Sequence, residues 1–174
     1  MAERGTGPGA DAPAPGPAGH GAEVTAEDRQ WLRQAIELSR RCPPSQTAYA
    51  VGAVLADAGG AVLATGYSRE RDPRDHAEEV ALAKLGPGRR GLAHATLYSS
   101  LEPCRVRASR PRPCAELIIE AGLRRVVIAW LEPPVLAPGG GAALLREAGV
   151  TVAEVPELAA EARAVNAALL DRRP

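Results

Sequence analysis

The sequence has no phenylalanine, and aromatic residues make up only 3% of its 174 residues. A surface that binds nucleic acid by stacking bases has almost nothing here to stack them on. Net charge is missing too: lysine and arginine together number 21, aspartate and glutamate also 21, and the isoelectric point is near 6.8. That balance excludes the basic stripe expected of a nucleic-acid partner. Lysine is all but absent, Lys84 being the only one. With so much alanine, glycine and proline, this points to a bias in coding composition rather than to a function. No run approaches the ~18 consecutive apolar residues of a membrane span, and the N-terminus carries no apolar secretory stretch. A cytoplasmic protein with no membrane partner is the expectation. Three cysteines are too few, and odd in number, for a disulfide framework. In a reducing compartment, paired cysteines favour metal binding or catalysis over bridging.

What is present reads as one domain behind a tail. Residues 1–24 are rich in Gly, Ala and Pro with almost no large apolar side chain. They cannot bury enough surface to offset chain entropy, so a disordered tail is expected. The domain is expected over residues 25–172, long enough to bury its own core without covalent staples. Thr25 followed by Asp28 marks a helix start, and Trp31, Leu32, Ala35 and Ile36 share one apolar face through about Arg41, before Pro43 and Pro44. Residues 50–56 and 61–67 read as strands joined by the turn Asp57-Ala58-Gly59-Gly60, which makes a hairpin. Then come a helix over 75–85, a strand over 95–101, and a helix over 114–122 closing on Gly122. A buried strand over 123–130, a helix over 140–148, a strand over 150–155 and a last helix over 157–170 complete the order. The hairpin gives an antiparallel pair, and the later β-α-β units favour parallel, right-handed crossovers. The expected fold class is α/β: a three-layer α/β/α sandwich around a mixed five-stranded sheet.

Cys104 and Cys114 each follow a proline and bracket nine residues, four of them arginine. Spacing alone leaves open a disulfide, a redox pair, a metal site or two unrelated core residues. Upstream, at an expected helix start, lies His76-Ala77-Glu78. The order H-x-E then P-C-x-x-C belongs to zinc-dependent deaminases; here the second P-C comes after a longer gap. Zinc takes nitrogen and thiolate ligands tetrahedrally, and a catalytic site leaves one position for water. His76, Cys104 and Cys114 are the candidate ligands, two of them at helix starts, where the N-terminus favours thiolate. Glu78, off the metal, is the candidate proton carrier. Plainer readings compete. Asp75-x-x-Glu78 resembles a capping box that needs no chemistry. Small buried cysteines are common in cores. A purely structural zinc would take a fourth protein ligand, for which Cys42 is the remaining cysteine.

The stretches VGAV (51–54), HAE (76–78), ATLYSSLEPC (95–104), SRPRPCAELIIEAGLRRVVIA (109–129) and GGGAALLREAGVTV (139–152) tip the balance. Together, over roughly residues 26–155, they resemble the cytidine deaminase superfamily, and within it the pyrimidine deaminase of riboflavin biosynthesis. The resemblance implies the sandwich fold, a catalytic Zn²⁺ on His76, Cys104 and Cys114, Glu78 as the catalytic residue, and a homo-oligomer, dimer or tetramer. It implies hydrolytic deamination of a small molecule: a free pyrimidine nucleotide or an aminopyrimidine ribosyl phosphate. In that family a basic loop contacts the substrate phosphate, and Arg110 matches its arginine; Arg105, Arg107 and Arg112 are expected as solvated loop charge. Glu102 is expected to brace the metal turn, and the carbonyl of Ser100 or Leu101 to accept from the departing amino group. There are departures. Ala48 and Tyr49 stand where the riboflavin type has Asn-Pro, and the loop between the cysteines is slightly longer and lacks that family's histidine. Tyr49 resembles instead the aromatic residue of free-nucleoside cytidine deaminases. It is therefore a candidate substrate contact, and a cytidine, dCMP or specialised-metabolite nucleoside deaminase is the alternative. A chain ending at Pro174 would be a stand-alone deaminase, without the reductase domain that often follows. A zinc module that binds without catalysing is the reading from another class, and the intact Glu78 argues against it.

Overall fold

The computed structural model describes residues 23–86, 92–133, 136 and 138–171; the expected tail lies, but for its last two residues, outside them. Helix α1 (Ala26–Ser39) begins where its sequence says it should. Thr25 Oγ1 accepts from the Asp28 N–H at 3.0 Å, and Asp28 Oδ2 accepts from the Thr25 N–H at 2.8 Å. This reciprocal cap satisfies two amides that have no partner inside the helix. Strands β1 (Gly52–Ala56) and β2 (Val62–Tyr67) form the expected hairpin. Its turn is held by Asp57 Oδ1, which accepts from the Gly59 and Ala61 N–H groups, both at 2.9 Å.

Helix α2 (Ala77–Lys84), β3 (Thr96–Ser99), α3 (Cys114–Glu120), β4 (Arg125–Ile128), α4 (Gly141–Glu147) and β5 (Thr151–Glu154) follow. The sheet order is β2-β1-β3-β4-β5. Strand β1 runs antiparallel to both β2 and β3, while β3, β4 and β5 are parallel. On one face α1 packs against β1 and β3, with α5 (Ala159–Val165) beside it; α2, α3 and α4 pack on the other. This is the expected sandwich. It explains why β1 and the Val126-Val127-Ile128 run of β4 are buried throughout and carry no polar alternation. Gly66 lets the start of α2 press onto β2, since a Cβ there would lie 2.3 Å from the Ala77 carbonyl oxygen. Among the described residues no helix is long and apolar enough to cross a membrane.

The last helix differs from expectation. Residues 157–170 split into a 3-10 turn (Pro156–Leu158), α5, and a short α6 (Ala167–Leu170). The break falls at Asn166. Its Oδ1 accepts from the Ala50 N–H at 2.8 Å and its Nδ2 donates to the Ala50 carbonyl at 3.0 Å. The side-chain amide thus supplies the backbone partner that Ala50 lacks just before β1, at the expense of helix continuity. At the start of β4, Arg125 donates to both Asp28 oxygens, Nη1 to Oδ1 at 2.6 Å and Nη2 to Oδ2 at 2.9 Å, and the Tyr98 hydroxyl donates to Oδ1 at 3.0 Å.

Candidate active site

Three separate chain segments meet at the other ends of β3 and β4. His76 is the N-cap of α2, its backbone still extended at φ −98°, ψ 152°. Its amide donates to the Glu79 carboxylate at 3.4 Å. The residue three past the cap is therefore Glu79, and the expected Asp75–Glu78 capping box does not form. Asp75 instead accepts from the Arg71 and Asp72 amides in the preceding turn, and Glu78 is left free of capping duty. Cys104 lies in the turn after β3, and Cys114 opens α3 directly after Pro113. The helix start and the turn are tied together: Cys104 Sγ accepts from the Cys114 N–H at 3.3 Å, and the Cys104 carbonyl accepts from the Ala115 N–H at 3.1 Å.

His76 Nδ1 lies 3.5 Å from each cysteine sulfur. All three candidate ligand atoms fall within 4.8 Å of one another. Bond lengths of about 2.0 Å to nitrogen and 2.3 Å to sulfur in a tetrahedron put those atoms about 3.6 Å apart. The donor set and its spacing therefore fit zinc with one position open. Cys42 is not in the group: its sulfur donates to the Val51 carbonyl at 3.4 Å, and burial pushes its thiol up. Hydrogen bonding with Cys114 and His76 holds the Cys104 thiol well below its ordinary range despite its burial, while the contact with Cys104 and burial push the Cys114 thiol up. Glu78 is 2% exposed and accepts from the Ser99 hydroxyl at 2.7 Å. Burial pushes its carboxyl up, more than the neighbouring His76 and the Ser99 hydrogen bond pull it down.

Residues 25–130 match the family model for the zinc-binding region of cytidine and deoxycytidylate deaminases. The chain belongs to that deaminase family. The diaminohydroxyphosphoribosylamino-pyrimidine deaminase of Schizosaccharomyces pombe is 37% identical over 127 residues, covering 72% of this chain and 31% of its own. The riboflavin biosynthesis protein RibD of Aquifex aeolicus is 37% identical over 143 residues, covering 80% and 37%. The solved structure of Acinetobacter baumannii RibD superposes with a TM-score of 0.69 at 31% identity, covering 83% of this chain and 39% of that one. The chain thus spans about a third of the length of the curated relatives it matches.

Beside the three candidate metal ligands the deaminase domain has a cleft of about 520 Å³, reaching from His76, Glu78 and Cys104 to Tyr49 and Arg107. Tyr49 lines it, with its ring edge-on to Trp130 at 5.6 Å. Ser100 does not: its hydroxyl is buried and accepts from the Gly52 N–H at 3.1 Å. Its neighbour Ser99 meets Glu78 because successive strand residues face opposite ways. Arg110 is not in the lining either. Its guanidinium is bound by three carboxylates, Asp75 at 3.0 Å, Glu79 at 3.0 Å and Asp72 at 3.7 Å. Arg107, expected in solvent, is instead almost fully buried against Glu79 and the Arg74 carbonyl, and it lines the cleft. Glu102 braces as expected, accepting from the Glu132 N–H at 2.9 Å and the Ala142 N–H at 2.7 Å.

Two residues of this deaminase site were not anticipated. Arg69 sits at φ 62°, unusual for a residue with a Cβ, and donates to the Pro43 and Tyr49 carbonyls, fixing the wall that carries Tyr49. Glu132 lines the cleft, and its carboxyl is pushed up to about 7 by burial and then by the negative charges of Cys104, Glu102 and Glu78. Nothing in their local sequence marks either residue; only Pro133 after Glu132 hints at a turn.

Proposed function

We propose that the domain over residues 25–172 is a zinc-dependent hydrolase that removes ammonia from a free aminopyrimidine ribosyl phosphate, the class of substrate named for its S. pombe relative. What carries the reading is the meeting of His76, Cys104 and Cys114 with Glu78, a carboxylate beside the metal position that, among the described residues, pairs with no Arg or Lys. Zinc held by those three residues supplies Lewis-acid activation of water at neutral pH. Glu78 takes a proton from the attacking water, delivers one to a ring nitrogen, and passes one to the departing amine. Burial suits it to this work, because a carboxyl whose charged form is destabilised is a better acceptor. The C–N bond breaks, ammonia leaves and a carbonyl remains. Tyr49 contacts the ring or ribose, and the backbone carbonyl of Ser100 or of Leu101, which lines the cleft, accepts from the amino group before it leaves. We keep Arg110 in the phosphate site as part of a cluster with Arg74 and Arg107 rather than as a lone contact. The protein acts as a cytoplasmic homo-oligomer on a small molecule.

Ammonia release from the zinc-loaded protein tests the reading, with diaminopyrimidine ribosylamino phosphate, dCMP and cytidine as substrates. Turnover of the first is the expected result. Turnover of dCMP or cytidine without it would transfer the assignment to the nucleotide or nucleoside deaminases, which Tyr49 in place of proline favours. No release from any pyrimidine would leave a binding module.

A further inference from the structure

Most carboxylates around the cleft have partners. Asp75 and Glu79 pair with Arg110 and Arg107, Glu102 takes two backbone amides, and Glu78 takes the Ser99 hydroxyl. Glu132 is the exception. Among the described residues its half-buried carboxylate makes no hydrogen bond and no ion pair, although it lines the same cleft as Cys104 and Glu78. Its backbone is anchored, since the Glu132 N–H donates to Glu102 at 2.9 Å. A partly desolvated acceptor surrounded by negative charge, and given no donor by the protein, is costly unless a ligand supplies one. Resting on the reading above, we propose that the Glu132 carboxylate binds an N–H donor of the substrate other than the amine that leaves, and so selects aminopyrimidines over cytosine-type rings. The chemistry discriminates cleanly. In dCMP and cytidine the only ring-borne N–H groups are on the amine being lost, and the other ring positions offer acceptors or C–H. A diaminopyrimidine bearing a ribosylamino group keeps a second amine and a secondary N–H through the reaction. Facing a cytosine-type ring, Glu132 would be desolvated with no donor, which a site pays for heavily.

The test uses the zinc-loaded full chain with Glu132→Ala and Glu132→Gln. For the diaminopyrimidine ribosylamino phosphate, the Ala variant is expected to raise KM roughly 10- to 100-fold, the loss of a hydrogen bond to a charged group, with kcat less affected. The ratio of kcat/KM for this substrate to that for dCMP should fall by a similar factor. The Gln variant, which keeps an acceptor oxygen, should lie between. A separate measurement on the wild-type protein does not depend on the variants folding. Two analogues of the deaminated product are compared by calorimetry, one lacking the retained amine and one with the ribosylamino nitrogen methylated. At least one should bind about 10-fold or more weakly than the product. Unchanged KM and ratio in the variants, or equal affinity for the product and both analogues, overturns the role of Glu132 and leaves the deaminase reading standing. A wild-type protein that does not turn over the diaminopyrimidine overturns both.

Discussion

The two ends of the central sheet each bury a carboxylate, and they treat it in opposite ways. At one end Asp28, 3% exposed, meets both nitrogens of Arg125, the Tyr98 hydroxyl and the Thr25 amide. Burial alone would push its carboxyl up, but the hydrogen bonds and charge of Arg125, together with Thr25, hold it down at about 2. At the other end Glu78, 2% exposed, receives the Ser99 hydroxyl and, among the described residues, no Arg or Lys, and burial pushes it up. Equal burial therefore does not imply equal purpose. A carboxylate given a counter-ion is an anchor; one without an Arg or Lys partner keeps the raised proton affinity that the proposed role of Glu78 requires.

Substitution should separate the two most sharply in turnover. Glu78→Gln is expected to lower kcat by about 10²- to 10⁴-fold, the usual worth of a positioned acid–base group. Its thermal midpoint should move little, because Gln keeps the side chain's shape and an oxygen to accept from the Ser99 hydroxyl; steady-state ammonia release and calorimetric unfolding give both readings. Arg125→Met should do the reverse, costing about 3 kcal/mol of stability by leaving Asp28 unpaired, while kcat per folded, zinc-loaded molecule stays near wild type. Acid should expose the same anchor. Because the Asp28 carboxyl is lowered in the fold from 3.8 to about 2, its contribution is present above pH 4 and disappears as pH falls from about 4 to 2. Asp28→Asn should remove that part of the acid sensitivity, on the order of 1–2 kcal/mol, in denaturant titrations across this window. The surface supplies the smallest effect. Arg112 and Glu120 pair with more than half of each side chain exposed, and Arg112→Gln should change stability by less than about 0.5 kcal/mol.

The anchor and the ligands differ in how far the sequence betrays them. The Thr25–Asp28 cap, the hairpin turn and the order of elements follow from local patterns that the fold leaves intact. The convergence of His76, Cys104 and Cys114 on one point was legible because a zinc site demands those residue types in that order. What escaped depended on distant partners. The ion pairs of Arg110 with Asp72, Asp75 and Glu79, from the turn and helix more than 30 residues upstream, could not be read from the loop that carries it. The contact of Ser99 with Glu78 joins a strand to a helix 21 residues upstream, which a run of small polar residues does not announce. The break at Asn166 answers to Ala50, 116 residues away, which no helical periodicity could announce.

Glu102 ends the strand-turn that carries Cys104, yet its two oxygens hold the amides of Glu132 and Ala142. Gly141, at the start of α4, lies so close that a Cβ would sit 1.7 Å from the Pro103 carbonyl oxygen. The segment matching the family model stops at residue 130, so a protein trimmed to that boundary would retain every ligand while losing the buttress behind them. A fragment ending at residue 130 should therefore bind zinc more weakly than the full chain, and one carried through α4 should recover the affinity.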